Sequence, residues 1–448
     1  PQRRPFEELR PPLTTAPIRS AHDAYAAALA AHRTKDPDTH NAAVQFIAAL
    51  LDTPQHDGLF HLPAAYGPPG FPAWSRLADC SWTCYWLSRW HREIATHSRI
   101  IPFIESYATR LCTLQRHGGW FPAWVDPRTG RPARALPRSA ETALHVILFT
   151  ALHELAPDPR WVRAARRAAN FLIREIISPH RWECTETFFH ASPAWKAKRP
   201  GKPDPRQGTF PAHLLALWSC AEALLSLYLR TKTPRYLSWG TRALDELALY
   251  QQIWDAPFLP IPTFGGFAAS NTDIQWNCLA QALCAKTFLD YGRLTGLSEY
   301  FHRGIAALRA QYAVVEYAHP RTSEQSASLP LLPSQPVAHL PTAFSLVNPS
   351  KPDFELLSQP LWLLSPWTPL CAAESIWREY GDLYVDTRRV QAFGINGVVV
   401  ERAQRDLAGI AIYGRELLGT ARSLLIRSDT GQTLTLKVTP NAPFEFQL

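Results

Sequence analysis

Methionine is missing from all 448 residues, the first included, and the chain opens on Pro1-Gln2-Arg3-Arg4-Pro5. That opening predicts a chain trimmed of a preceding segment such as a signal peptide, so no cellular address is read from its start. Long apolar runs are missing as well. None reaches the ~18 residues that cross a bilayer; the nearest, Ala143 to Leu152, carries His145 and is bounded by Glu141 and His153. No membrane span is expected. Paired cysteines are missing too: Cys80, Cys84, Cys112, Cys184, Cys220, Cys278, Cys284 and Cys371 form no CxxC, and most fall inside helical apolar patterns. They read as small core residues rather than a disulfide frame or zinc site, which leans toward a reduced compartment. No GxSxG, P-loop, Rossmann or HExxH string and no grouped Cys/His set occurs, so neither a cofactor nor a metal is expected. No RRM or zinc-finger pattern occurs, so nucleic acid is not expected as a partner.

What is present suits a large buried core: 46% of residues are hydrophobic and only 19% charged. The length allows two or three average domains, or one large repeat domain with an appendage. Sixteen tryptophans help bring the aromatics to 11%. Rings in that number fill wide helix faces, and they are also what a sugar cleft needs, because a pyranose C–H face packs on a ring. The net charge of +8 is partly local, with Lys196, Lys198, Arg199, Lys202 and Arg206 in one Pro-rich loop and Arg163, Arg166 and Arg167 on one helix. Such runs are usually solvated faces; the sharper reading is steering of an acidic substrate such as a uronate polymer.

Self-similarity then sets the architecture. Three stretches share an apolar helix, a short polar turn and an aromatic opening a second helix: His153 to Trp161, Leu229 to Tyr236 and Arg293 to Tyr300. Small and apolar residues follow at helical spacing, as in Ala164, Ala165, Ala168 and Phe171, or Gly240, Ala243, Leu244 and Leu247. The aromatic markers lie 75 and 64 residues apart, one helical hairpin plus a substantial loop. A second repeat sits between hairpins: His56-Asp57-Gly58-Leu59-Phe60 matches His117-Gly118-Gly119-Trp120-Phe121, echoed at Gly208-Thr209-Phe210-Pro211 and Phe264-Gly265-Gly266-Phe267. Glycine permits the tight turn, and the aromatic plugs the chain back onto the core.

Helices are expected near 21–34, 41–53, 75–96, 99–115, 139–155, 159–177, 213–231, 235–252, 276–295, 298–315 and 366–380, about five and a half hairpins. Residues 316–365 read as a long loop, and from Tyr384 the pattern turns to short β runs. The division expected is an N-terminal extension over 1–20, a mainly α toroid of αα-hairpins over 21–382, and a β-rich segment over 383–448.

The hairpin grammar, the Gly-Gly-Trp-Phe turn and the terminal β segment resemble the six-hairpin glycosidase superfamily. Phe264-Gly265-Gly266-Phe267 before Asn271-Thr272-Asp273, and Tyr380 to Asp386, look like strings of its uncharacterised bacterial members. The resemblance implies an (α/α)6 toroid and a sugar enzyme, a glycoside hydrolase or polysaccharide lyase. It carries over no catalytic residue. The Asp-rich motif of terpene cyclases and the Cys-His-Gly signature of lanthionine cyclases, which share the toroid, are absent.

In such toroids long loops build a cleft at the N-termini of the inner helices, so acidic and aromatic residues there are the candidates. Asp273 precedes the helix expected to open at Trp276; it is an N-cap or, ionised by the helix dipole, a base. Glu141 follows the cap-like Ser139, and Asp79 lies in the first turn of the helix carrying Trp82, Tyr85 and Trp86. Glu183 and Glu186 lie in an aromatic loop whose desolvation would raise a carboxyl pKa, which suits a general acid. Hydrolysis needs one carboxyl to protonate the leaving oxygen and one to activate water or attack carbon. The reading is therefore a glycoside hydrolase with Glu186 as acid, Asp273 as base, and Glu141 and Asp79 in reserve, acting on a carbohydrate. A lyase would use His190, His117, Tyr317 or His319 with Lys196 or Arg199, and a non-catalytic binding protein is the third reading. Trp120, Trp124, Trp182, His190 and Trp276 are the candidate substrate contacts, with core packing the bland alternative for the tryptophans.

Overall fold

The computed structural model describes residues 20–62, 74–133, 138–190, 208–255, 264–271, 280–311 and 367–448, with short pieces at 18, 136, 202–203, 275–276 and 344–345. Its helices are α1 (Ala21–Thr34), α2 (Pro37–Leu51), α3 (Leu77–Glu93), α4 (Ile100–Leu114), α5 (Thr142–Leu155), α6 (Pro159–Phe171), α7 (Thr185–His190), α8 (Leu214–Thr231), α9 (Pro234–Ala248), α10 (Gln281–Thr295), α11 (Ser298–Ala310) and α12 (Trp367–Tyr380). A π-helical stretch, Leu172–Ile177, extends α6.

Two burial patterns sort these helices. In α5 every residue from Thr142 to Thr150 is buried, and α1 and α8 are buried almost as fully. In α9 only Tyr236, Gly240, Ala243, Leu244 and Leu247 are buried, one stripe at three- and four-residue spacing. The first kind must have neighbours all round, and the second faces solvent on one side. The contacts agree: α1 packs on α3, α3 on α5, α5 on α8, α8 on α10, α10 on α12, and α12 back on α1. Six inner helices thus close a ring, and α2, α4, α6, α9 and α11 stand outside it. At the closing seam Arg33 of α1 bonds Glu374 of α12 at 2.7 Å and lies over the Trp377 ring.

The turn repeat has a physical basis. Gly58, Gly119 and Gly265 all have positive φ, and a Cβ on each would meet a backbone carbonyl of the next outer helix, that of Ser106, Arg167 and Ala306. A glutamine accompanies each glycine. Gln55, Gln115 and Gln251 donate Nε2–H to the carbonyls of Phe103, Ala164 and Arg303, three residues before the contacted ones. Gly208 departs from the pattern, since its positive φ comes with open space around it. The third turn instead docks through His180 and Trp182, both bonded to Glu246 of α9. Gly119→Ala is expected to lose about 2 kcal/mol, from a left-handed φ and a Cβ 2.2 Å from the Arg167 oxygen. A denaturant titration checks it, and an unchanged midpoint would refute the packing argument.

Several boundaries differ from expectation. α2 begins at Pro37 rather than near 41, because Asp36 accepts from the backbone N–H of Asp38 and Thr39 and proline occupies the first turn. Residues Thr185–His190 form a short helix where a loop was expected. Gln275–Trp276 is a strand, β5, paired with β6 (Phe344–Ser345), and the helix expected from 276 starts at Gln281. Apart from β6, the expected loop 316–365 lies outside the described residues. Among the described residues the apolar helix closest to a membrane span is α8, 18 residues with mean hydropathy 1.2, rather than Ala143 to Leu152. Two thirds of it is buried as an inner helix of the ring. The cysteines behave as small core residues: Cys80, Cys84, Cys184, Cys220, Cys284 and Cys371 are buried, Cys112 is partly so, and Cys278 lies outside the described residues.

From Leu383 the chain forms two sheets. One has the order β12-β11-β7-β8 (Thr433–Val438, Arg422–Ser428, Leu383–Asp386, Gln391–Gly394). The other has the order β13-β10-β9 (Pro443–Gln447, Ile410–Glu416, Val398–Arg405). Leu383, Val385, Val398, Ile412, Leu424 and Ile426 form a small core of their own. The first sheet also joins the main core, where Phe393 stacks on Phe301 of α11 at 4.1 Å. Among the described residues α12 has no second helix of its hairpin, and strand β11 packs on it.

Candidate active site

The local sequence Ser75-Arg76-Leu77-Ala78-Asp79 enters α3 from a two-residue strand, β3 (Ser75–Arg76), paired with β4 (Trp124–Val125). That pairing fixes the Arg76 backbone, and the first turn of α3 places Asp79 one turn on, 3.4 Å from its guanidinium. Glu141 occupies the N-cap position of α5, its own N–H held by Ser139 Oγ at 3.1 Å. The loop from α6 returns to this point, since Ala140 N–H donates to the Glu183 carbonyl at 2.8 Å. It thereby delivers Thr185 and Glu186.

The result is one arginine among three carboxylates, all buried. Arg76 donates to Glu141 through Nη2, and the same nitrogen lies 3.8 Å from Glu186. Glu141 also accepts from Thr185, through its N–H at 3.2 Å and its hydroxyl at 2.9 Å. Both Glu141 oxygens are thus engaged. Burial pushes the Glu186 carboxyl up to about 8; Arg76 opposes this, and Glu141 and Asp79 reinforce it. Burial likewise raises Asp79 to about 6 against the pull of Arg76. Among the described residues the buried Asp79 oxygens have no hydrogen-bond partner. At neutral pH the raised Glu186 carboxyl therefore holds its proton beside the Arg76–Glu141 contact. Below the cluster, His145 accepts or donates at Ser81 Oγ, 2.7 Å away, and burial lowers it to about 3, a neutral imidazole.

Of the expected residues, the fold brings together Asp79, Glu141 and Glu186. Asp273 lies outside the described residues. Trp124 is fully buried in a small cluster with Ala123 and Leu136, and Trp182 is buried with its indole N–H on Glu246. Both pack as core, which corrects their reading as sugar platforms. Trp120 is half-buried, with the Arg138 guanidinium 6.0 Å from its ring. His190 ends α7, and Trp276 lies in β5 instead of opening a helix. Glu183 pairs with Arg181 at 2.8 Å, and His117 is exposed. Sequence reading missed Arg76, the residue that organises the cluster. The available signal was its i,i+3 spacing from Asp79 at a helix start.

No family profile and no curated protein sequence matches the chain. Solved structures do match its shape. A D-mannose isomerase superposes over 80% of this chain and 88% of its own, with TM-score 0.52 and 11% identity. A sugar epimerase from a ruminal bacterium matches over 80% and 86%, with TM-score 0.52 and 7% identity. The fold is an (α/α)6 toroid. The cellobiose 2-epimerase of Spirochaeta thermophila shares this toroid over 82% of this chain and 85% of its own, with TM-score 0.52 and 13% identity. At such identities the likeness concerns the fold, the six-hairpin toroid the repeat grammar resembles, and leaves the site to its own geometry.

Proposed function

We propose that this toroid is a carbohydrate-active enzyme, a glycoside hydrolase in which Glu186 is the general acid. The supporting observation is a buried carboxyl, with a pKa raised to about 8, at the meeting point of two inner-helix N-termini. A buried group of one cation and three carboxylates is costly in stability, and what it supplies is an acid still protonated at neutral pH. Protonating a glycosidic oxygen is the work of such a group. Asp273 is the proposed base and Asp79 its alternative within the cluster. Glu141, held at both oxygens, positions Arg76 rather than reacting. The substrate class is a poly- or oligosaccharide.

A second reading, sugar isomerase or epimerase, is favoured by the names of the toroids matched above. One assay set separates the possibilities. Reducing ends released from a polysaccharide panel without ultraviolet absorbance, and lost in Glu186→Gln, support hydrolysis. Release with absorbance of an unsaturated uronate indicates a lyase. Interconversion of free sugars with solvent deuterium entering C2, without chain cleavage, indicates the isomerase or epimerase. A folded protein silent in all three refutes the enzymatic proposal.

A further inference from the structure

Deeper along the ring axis lies a second group of polar side chains that the proposed chemistry does not use. Along α3, Asp79, Trp82, Tyr85 and Arg89 follow one another, so Tyr85 lies about 9 Å beyond Asp79 at ~1.5 Å per residue. Between the two levels, Trp82 meets Trp218 of α8 edge-on at 5.5 Å and Trp86 at 5.4 Å, and His22 of α1 stacks on Trp86 at 4.3 Å. These rings are buried and form an aromatic layer across the axis. Beyond it, Tyr85 and Arg89 of α3, Glu222 of α8 and Lys286 of α10 come within electrostatic reach of one another.

Tyr85, Glu222 and Lys286 are each only half-buried although they stand on inner helices; Lys286 keeps 29% of its side chain accessible. Helices α3 and α10 are not neighbours in the ring, so groups that meet across it face the axis. The accessible surface of the three side chains therefore faces the ring axis.

Hydrogen-bonding capacity is left over there. Thr287 Oγ1 donates to Glu222 Oε2 at 2.7 Å, and among the described residues Oε1 has no partner. Tyr85 accepts from Arg89 at 3.1 Å, which leaves its O–H to donate. Lys286 uses two of its three N–H groups, on Asp290 and Glu379, both at 2.7 Å. Around them four cations (Arg89, Arg92, Lys286, Arg293) face four carboxylates (Glu93, Glu222, Asp290, Glu379), with no positive charge in excess. That balance disfavours an anion.

We infer that these groups border an axial hollow and that this hollow is a second binding site, distinct from the Arg76 cluster, for a neutral polyhydroxylated ring such as a monosaccharide. Its hydroxyls would donate to Glu222 Oε1 and accept from Tyr85 and Lys286. Sugars suit these groups because each hydroxyl both donates and accepts.

The test is saturation-transfer NMR followed by calorimetric titration of glucose, mannose, galactose and N-acetylglucosamine. The samples are the full chain and its Glu222→Gln, Tyr85→Phe and Glu186→Gln variants, each checked for folding by circular dichroism. The expected result is binding of at least one sugar, at least tenfold weaker in Glu222→Gln and Tyr85→Phe, and unchanged in Glu186→Gln. If Glu222→Gln does not fold, Tyr85→Phe, which removes one hydroxyl, decides alone. The inference is overturned if no sugar binds the wild-type chain. It is equally overturned if binding survives in the Glu222 and Tyr85 variants, or if it is lost only in Glu186→Gln. The activity assays above read the other end of the ring, so either proposal can fail while the other stands.

Discussion

Arg76→Met is expected to cost about 3–5 kcal/mol of stability at pH 7, because it leaves buried carboxylates without their cation. The guanidinium bonds Glu141 and lies within ion-pair distance of Asp79 and Glu186. Methionine keeps most of the volume and packing of the side chain, so the loss reports charge rather than a void. The effect carries a pH signature. Asp79 and Glu186 are raised to about 6 and about 8, so by pH 5 both are protonated in the folded protein and need the arginine less. Urea titrations of both proteins at pH 5 and pH 8 should therefore show a gap that narrows on acidification. A gap of equal size at both pH values would mean that Arg76 contributes packing alone.

Glu186→Gln is the second large effect. Glutamine keeps the shape and removes the proton donor, so the rate constant is expected to fall by about 10²–10⁴. For the wild type, activity should decline as pH rises through about 8, where the acid loses its proton, and the residual activity of the variant should lack that limb. Stability falls with rising pH as well. The folded pKa is raised above the ordinary carboxyl value of 4.5, so the contribution is fully present below 4.5 and is lost as pH rises through about 8. The slope is at most about 1.4 kcal/mol per pH unit for the one extra proton held by the folded state. The variant should flatten that slope and melt higher than wild type above pH 8. Full activity in Glu186→Gln would remove Glu186 from the chemistry. A wild-type alkaline limb retained in the variant would assign that limb to another group.

The contrast between hairpins and site explains what was legible beforehand. A repeat writes its constraint many times over: Gly58, Gly119 and Gly265 each need a left-handed turn against a carbonyl, and the stripes of α6, α9 and α11 each need one apolar face. Recurrence at a fixed period makes such local requirements readable without coordinates. The matching glutamines were equally periodic and went unread, since glutamine has no strong positional preference until its carbonyl partners are known. The candidate site is the opposite case. Its members come from positions 76, 79, 141 and 186, and nothing local ties Arg76 to Glu186. Asp79, Glu141 and Glu186 could be nominated singly because acidic residues at helix starts and in aromatic loops invite such a reading.

By itself, then, the sequence determined the ring of hairpins, the β-rich end and the short list of carboxylates, because periodicity, turn chemistry and helix-start preferences are local. Only the tertiary structure decided which of those carboxylates share one arginine, that Trp124 and Trp182 are core, and that Tyr85, Glu222 and Lys286 face one another across the axis. Desolvation and charge pairing depend on what the closed ring brings within a few ångströms, and that distance is not written at any single position of the chain.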